Sequence, residues 1–122
     1  ADDLEGHDVA DNALKVAAWK TGYLFRSAAY CGAVAGGAPE KSAAKLAECG
    51  LHLGIAYQIA DDLQDSSGED DPQRSVNAAA LMGRENAQNA FRDEIGKARI
   101  LAAKVASDGV LQDYIGMMES HV

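Results

Sequence analysis

The run Gln58-Ile59-Ala60-Asp61-Asp62-Leu63-Gln64-Asp65 carries the densest polar chemistry in the sequence. On a helix, Asp61 and Asp65 stack one above the other. Asp62 lies about 100° around the axis, near enough to flank the same cleft. Gln58 falls one turn earlier. Three carboxylates this close repel one another, and near a helix C-terminus the backbone dipole disfavours anions as well. The arrangement is unfavourable unless a cation offsets it. Oxygen donors without His or Cys select a hard ion, Mg²⁺ rather than zinc. Mg²⁺ keeps waters and shares its shell with phosphate oxygens, so the implied ligand is phosphorylated or a diphosphate. The same letters also describe a solvated acidic helix end running into an acidic loop. What distinguishes this instance is its emergence from a nearly wholly apolar stretch, Leu51 to Ala60.

Lys20-Thr21 is the second polar feature, set mid-helix among apolar and small residues. A lysine there either snorkels to solvent or aims its ammonium at phosphates held by the aspartate-bound metal. Thr21 has two uses: bonding back to the carbonyl one turn earlier, or lining the pocket. Arg26 is a weaker cation of the same kind. Tyr57, beside Gln58, reads either as the wall of an apolar pocket or as core. His7, His52 and His121 have no metal spacing, and His52 reads as a partly buried structural residue. There is no phosphate-binding glycine loop, dinucleotide fingerprint or nucleophile elbow.

The elements that must position these groups are helices. Alanine supplies 24 residues against 13 for Val, Ile and Thr together, a ratio that favours helix over sheet. The pattern predicts a first long helix from about Asp11 to Ala35, with Leu14, Ala17, Ala18, Thr21, Leu24, Phe25, Ala28 and Ala29 on its apolar face. Gly36, Gly37 and Pro39 stop it. A second helix runs from the Pro39–Ser42 region to about Leu63 or Gln64. It is apolar on several sides, so neighbours must surround it. Gly50 and Gly54 cost it roughly 1 kcal/mol each against Ala, which reads as a close-packing seam. Residues 66–72 form a polar loop, and Val76 to Met82 a helical turn or two. A third helix spans about Arg84 to Ser107, buried through Phe91, Ile95, Ala98, Leu101, Ala102 and Val105. Val110 to Met118 closes the chain, with Leu111, Tyr114, Ile115 and Met118 inward.

Composition removes other classes. The 122 residues suit about one domain. A net charge of -8, with no basic run, argues against nucleic acid and anionic membranes as direct partners. No apolar stretch is long enough to span a bilayer. Cys31 and Cys49 fit small core residues of a cytoplasmic protein, not a disulfide scaffold. The chain opens at Ala1, which suits a natural short subunit, a processed piece or part of something longer.

Taken together, the blocks Lys20-Thr21-Gly22-Tyr23-Leu24-Phe25 and Gly50 through Asp65, with Gly83 after them, resemble the trans-isoprenyl diphosphate synthases, or polyprenyl synthetases. The match looks like the C-terminal half of a farnesyl or geranylgeranyl diphosphate synthase and covers nearly the whole chain, 1–122. The resemblance implies an all-α isoprenoid synthase bundle around a deep apolar cavity between two aspartate-rich motifs. It implies prenyl transfer between isopentenyl diphosphate and an allylic diphosphate, with Mg²⁺ bridging the motifs and the allylic diphosphate. Carried over residue by residue, it makes Lys20, Thr21 and Gln58 the catalytic candidates. Lys20, Tyr57, Gln58 and Arg74 become substrate contacts, and Asp61, Asp62 and Asp65 the metal ligands. It also implies a homo-oligomer.

The chain departs from the family pattern in two places. The first aspartate-rich motif is absent, since Asp2-Asp3 does not match it. The loop over 66–75 is short and acidic, with Arg74 its one candidate cation. The expectation is therefore a C-terminal portion, inactive without an N-terminal half or a partner subunit. The alternative is a non-catalytic or regulatory small subunit docking on a full-length synthase. A terpene cyclase of the same fold is disfavoured, because its Asn/Ser/Glu metal triad is missing.

Overall fold

The computed structural model describes residues 11–65, 82–105 and 110–120. Every regular element among them is helical. Helix α1 begins as an α-helix over 11–17, widens into a π-helical segment at Ala18–Gly22 and resumes over Tyr23–Ala35. Helix α2 spans Glu40–Asp65, α3 Arg84–Val105 and α4 Val110–Glu119. The short alanine-rich segment expected from Val76 lies outside the described residues apart from Met82.

The turn between α1 and α2 is built by its glycines. Ala38 N–H donates to Ala33 O and Gly37 N–H to Val34 O, each at 3.0 Å, which satisfies carbonyls that the end of α1 would otherwise leave bare. That closure needs a left-handed residue, and Gly37 supplies it at φ 82°. Pro39 then prevents the helix from continuing. The chain reverses, and α2 runs antiparallel along α1. Thr21 meets Gln58, Gly22 meets Gly54, Phe25 meets Gly50, and Tyr30 meets Glu40.

The glycine seam is real and tight. A Cβ built on Gly50 would lie 2.7 Å from Phe25 O, and one on Gly54 would lie 2.7 Å from Gly22 Cα. The two backbones are as close as they are because these positions carry no side chain. Helix α2 is central, packed on α1 along one side and α3 along the other, while α4 folds back on α3. The core follows from this order. Cys49, Leu53, Ala56, Ile59 and Leu63 of α2 form one cluster with Phe91, Ile95, Ala98 and Ala102 of α3 and Ile115 and Met118 of α4, while Ile55 lies against Gly22 of α1.

Three residues expected inside lie outside. Leu24, Ala28 and Cys31 are exposed, because among the described elements α1 packs through the one stripe that faces α2. Only Cys49 behaves as a core cysteine. Its Sγ lies 3.5 Å from Ala98 O, and burial pushes its thiol pKa up to about 11. No helix among the described residues is long and apolar enough to cross a membrane.

Candidate functional site

Two helices supply the polar groups singled out in the sequence, and their crossing brings several of them together. Thr21 and Lys20 both stand in the π-helical segment, where Tyr23 N–H reaches five residues back to Ala18 O. Such a segment holds an extra residue in one turn, which re-aims the side chains on it. Thr21 does not bond to its own helix here. Its hydroxyl donates to Gln58 Oε1 of α2 at 2.5 Å. Gln58 Nε2 in turn donates to Asp62 Oδ1 at 2.9 Å. A continuous hydrogen-bonded line therefore crosses from α1 to α2 and ends on a carboxylate.

Burial makes that line consequential. Gln58 is 8% exposed and Asp62 only 4%, so neither can rely on water. An unsatisfied polar group at such a depth costs about 1–3 kcal/mol, and more for a charged one. No buried side-chain nitrogen or oxygen among the described residues lacks a hydrogen-bond partner. Asp61, one residue away, faces solvent. The adjacent aspartates thus have different surroundings, one held and one open. Asp65 ends α2, and its side chain lies outside the described residues, as does the whole of Arg74. His7 and His121 lie outside them too.

Lys20 is exposed. Together with Asn12, Lys15, Val16 and Trp19 it lines an open depression of about 490 Å³. The indole of Trp19 is 80% exposed beside it, a feature the sequence reading passed over. Tyr57 is half-exposed and tilts against Phe25, with ring centroids 5.6 Å apart, so it lies at the rim and not in the core. Acidic residues are absent from α1 after Asp11, while α2 mixes Lys41 and Lys45 with Glu40 and Glu48 near its start. From residue 12 to residue 39 there is no Asp or Glu, while Lys15, Lys20 and Arg26 are basic. Asp61 and Asp62 stand toward the end of α2 that pairs with the Lys15–Thr21 part of α1, whereas Arg26 lies near Ala47 and Glu48.

Among the described residues no three His, Cys, Asp or Glu side chains converge as a metal-binding group. Asp61 and Asp62 do offer hard oxygens. One of the two is exposed and the other buried and bonded to Gln58, and oxygens of this kind are what a hard ion such as Mg²⁺ takes.

A second polar group escaped the sequence reading. Glu94 of α3, 6% exposed, meets His52 Nδ1 of α2 at 2.5 Å and Lys97 Nζ at 3.5 Å. His52 is thus the structural residue its isolation suggested, with a buried carboxylate as partner. The spacing of Glu94, three residues after Phe91 and four before Ala98, does place it on the buried stripe of α3. The Gln58–Asp62 bond was likewise legible as a four-residue spacing on one helix face.

Comparison with known proteins bears on the same segment. The model of the polyprenyl synthetase family matches residues 2–76, which include Lys20-Thr21 and Gln58 through Asp65. This chain belongs to the polyprenyl synthetase family. Within this trans-prenyltransferase family, geranylgeranyl diphosphate synthase of Rhodobacter capsulatus is 35% identical over 98 residues, covering 72% of this chain and 31% of the relative. Geranylfarnesyl diphosphate synthase of Aeropyrum pernix is 46% identical over 56 residues, 46% of this chain and 17% of its own length. Farnesyl diphosphate synthase of Geobacillus stearothermophilus is 38% identical over 52 residues, 43% and 18% respectively. The chain spans less than a third of the length of these relatives. No solved structure matches it.

Proposed function

We propose that residues 1–122 form the C-terminal portion of an isoprenyl diphosphate synthase of the farnesyl or geranylgeranyl type and supply its second aspartate-rich diphosphate site. The observation that carries this reading is the line from Thr21 through Gln58 to Asp62, which joins the two family blocks across the α1–α2 crossing. A purely structural helix pair has no need of a buried carboxylate at a helix end, where the dipole opposes it.

Roles follow from position. Asp61, Asp62 and Asp65 would hold Mg²⁺, which when bound neutralises charge on the leaving diphosphate. Lys20 and Arg74 contribute cationic contacts to the same diphosphate. Gln58, Thr21 and Tyr57 orient the allylic substrate over the apolar wall, and isopentenyl diphosphate is the co-substrate. Stabilising a leaving diphosphate requires donors on more than one side. For that reason the segment acts only with the remaining part of the synthase, in the same polypeptide or as a partner subunit, within a homo-oligomeric cytoplasmic enzyme. A regulatory small subunit would keep the helix pairing but would not need the buried Gln58–Asp62 pair, so the catalytic reading is preferred.

The test measures Mg²⁺-dependent binding of an allylic diphosphate to the complete protein and to its Asp61→Ala variant. The variant is expected to lose binding while melting at an unchanged or higher temperature, because the substitution removes a ligand and relieves repulsion. Equal binding by both proteins would overturn the assignment. Prenyl transfer by a demonstrated monomer of the 122-residue chain would overturn the claim that the segment acts only with the remaining part of the synthase.

A further inference from the structure

We infer that Thr21 is a positioning residue whose hydroxyl, acting through Gln58, fixes the Asp62 carboxylate in the orientation that receives a divalent cation. The inference rests on the proposed diphosphate site and names the device on α1 that pre-arranges it.

The direction of the line is fixed by chemistry. An ionised carboxylate can only accept, so the Gln58 group 2.9 Å from Asp62 Oδ1 is the amide NH₂. The other end of the amide, Oε1, then faces Thr21 and requires a donor, which the hydroxyl is at 2.5 Å. Reversing the amide would set its oxygen against the carboxylate and its NH₂ against the hydroxyl, losing the bond to Asp62. The carboxylate therefore selects the amide orientation, and Thr21, donating to the far end of the amide, holds Gln58 in the place from which it bonds one Asp62 oxygen. The Gln58–Asp62 contact is buried, which keeps water from replacing it, while the Thr21 end of the line is part-buried.

The backbone explains why the holding group sits on α1. A threonine on an ordinary α-helix tends to bond back to its own preceding turn. In the π-helical segment Ala18–Gly22 the hydroxyl reaches across instead. The reach also depends on the close approach at Gly22 and Gly54, one residue further along α1 and one turn earlier on α2. Partners behind metal ligands orient them, and their loss typically weakens metal affinity about 10–100-fold.

The experiment uses the complete protein labelled with ¹⁵N-glutamine, as wild type, Thr21→Val and Thr21→Ser. Two readouts are taken. The first is the Gln58 side-chain amide resonance and its protection from hydrogen exchange, without metal. The second is binding of Mg²⁺ with inorganic diphosphate. Thr21→Val should abolish the protection of the Gln58 amide and weaken Mg²⁺–diphosphate binding by about 10-fold or more. Thr21→Ser, which retains the hydroxyl, should restore both. If Thr21→Val does not fold, Thr21→Ala against Thr21→Ser makes the same comparison. An unchanged Gln58 amide in folded Thr21→Val overturns the positioning role. A changed amide with unchanged Mg²⁺–diphosphate affinity overturns the link to the cation. Wild type that binds no Mg²⁺–diphosphate removes the proposed site itself, while the amide readout still decides whether Thr21 orients Gln58.

Discussion

Replacing Gly54 with alanine sets two opposing effects against each other, and the structure supplies the magnitudes. In an exposed helix, alanine in place of glycine would stabilise by about 1 kcal/mol. At Gly54 the new Cβ would lie 2.7 Å from Gly22 Cα, 3.0 Å from Phe25 Cβ and 3.0 Å from Thr21 O. Ordinary contact begins near 3.4 Å, so α1 must recede by at least about 0.7 Å, the difference between 2.7 and 3.4 Å. Two of the three obstructing atoms are backbone, and no rotamer change can move them aside. Overpacking of a tight contact costs about 1–3 kcal/mol. The balance is a net loss of about 0–2 kcal/mol after the propensity gain is subtracted. The same recession stretches the 2.5 Å Thr21–Gln58 bond past 3 Å, so the variant should also lose protection of the Gln58 amide. Denaturant unfolding of the complete protein measures the first effect, and hydrogen exchange of the Gln58 side chain the second. A Gly54→Ala protein more stable than wild type, with the Gln58 amide undisturbed, would refute the claim that backbone contact at this seam sets the helix spacing.

Gly96 is the matching control. A Cβ there meets nothing within 4 Å, so Gly96→Ala in the interior of α3 should raise stability by about 0.5–1 kcal/mol in the same unfolding assay. The two cysteines should separate under a thiol reagent: exposed Cys31 reacts promptly, while buried Cys49, its thiol pushed up to about 11, reacts only on opening of the helix pair. Because the folded thiol of Cys49 keeps its proton where the unfolded one, near 9.0, has lost it, stability should fall as pH rises from about 9 to 11. Cys49→Ala should flatten that decline in pH-dependent unfolding.

Helix existence and limits were written in local chemistry. The stop at Gly36-Gly37-Pro39 depends on a left-handed residue and a missing donor, which are properties of those residues alone, and α1 ends at Ala35 as the pattern predicts. Helices α2, α3 and α4 likewise begin and end within about two residues of their expected limits. Gly50 and Gly54, costly on a helix face, announced a close partner, because natural helices seldom bear that penalty without one. The polar block at 58–65 was legible because clustered carboxylates at a helix end are unfavourable in isolation, whereas Lys20 is exposed and carries no such penalty. The burial of particular side chains was a different matter. Leu24, Ala28 and Cys31 have the types and spacing of core residues, yet they are exposed, since a residue is buried only where another helix arrives. Glu94 meets His52 of α2, a pairing 42 residues apart that no local pattern encodes. The π-helical widening at Ala18–Gly22 adds one residue to one turn without any distinguishing letter. Sequence periodicity reports what each helix can offer. Which of Asp61 and Asp62 is held and which is open, and that Thr21 reaches Gln58, depends on how far and at what angle two helices approach, and that is fixed only when their backbones meet.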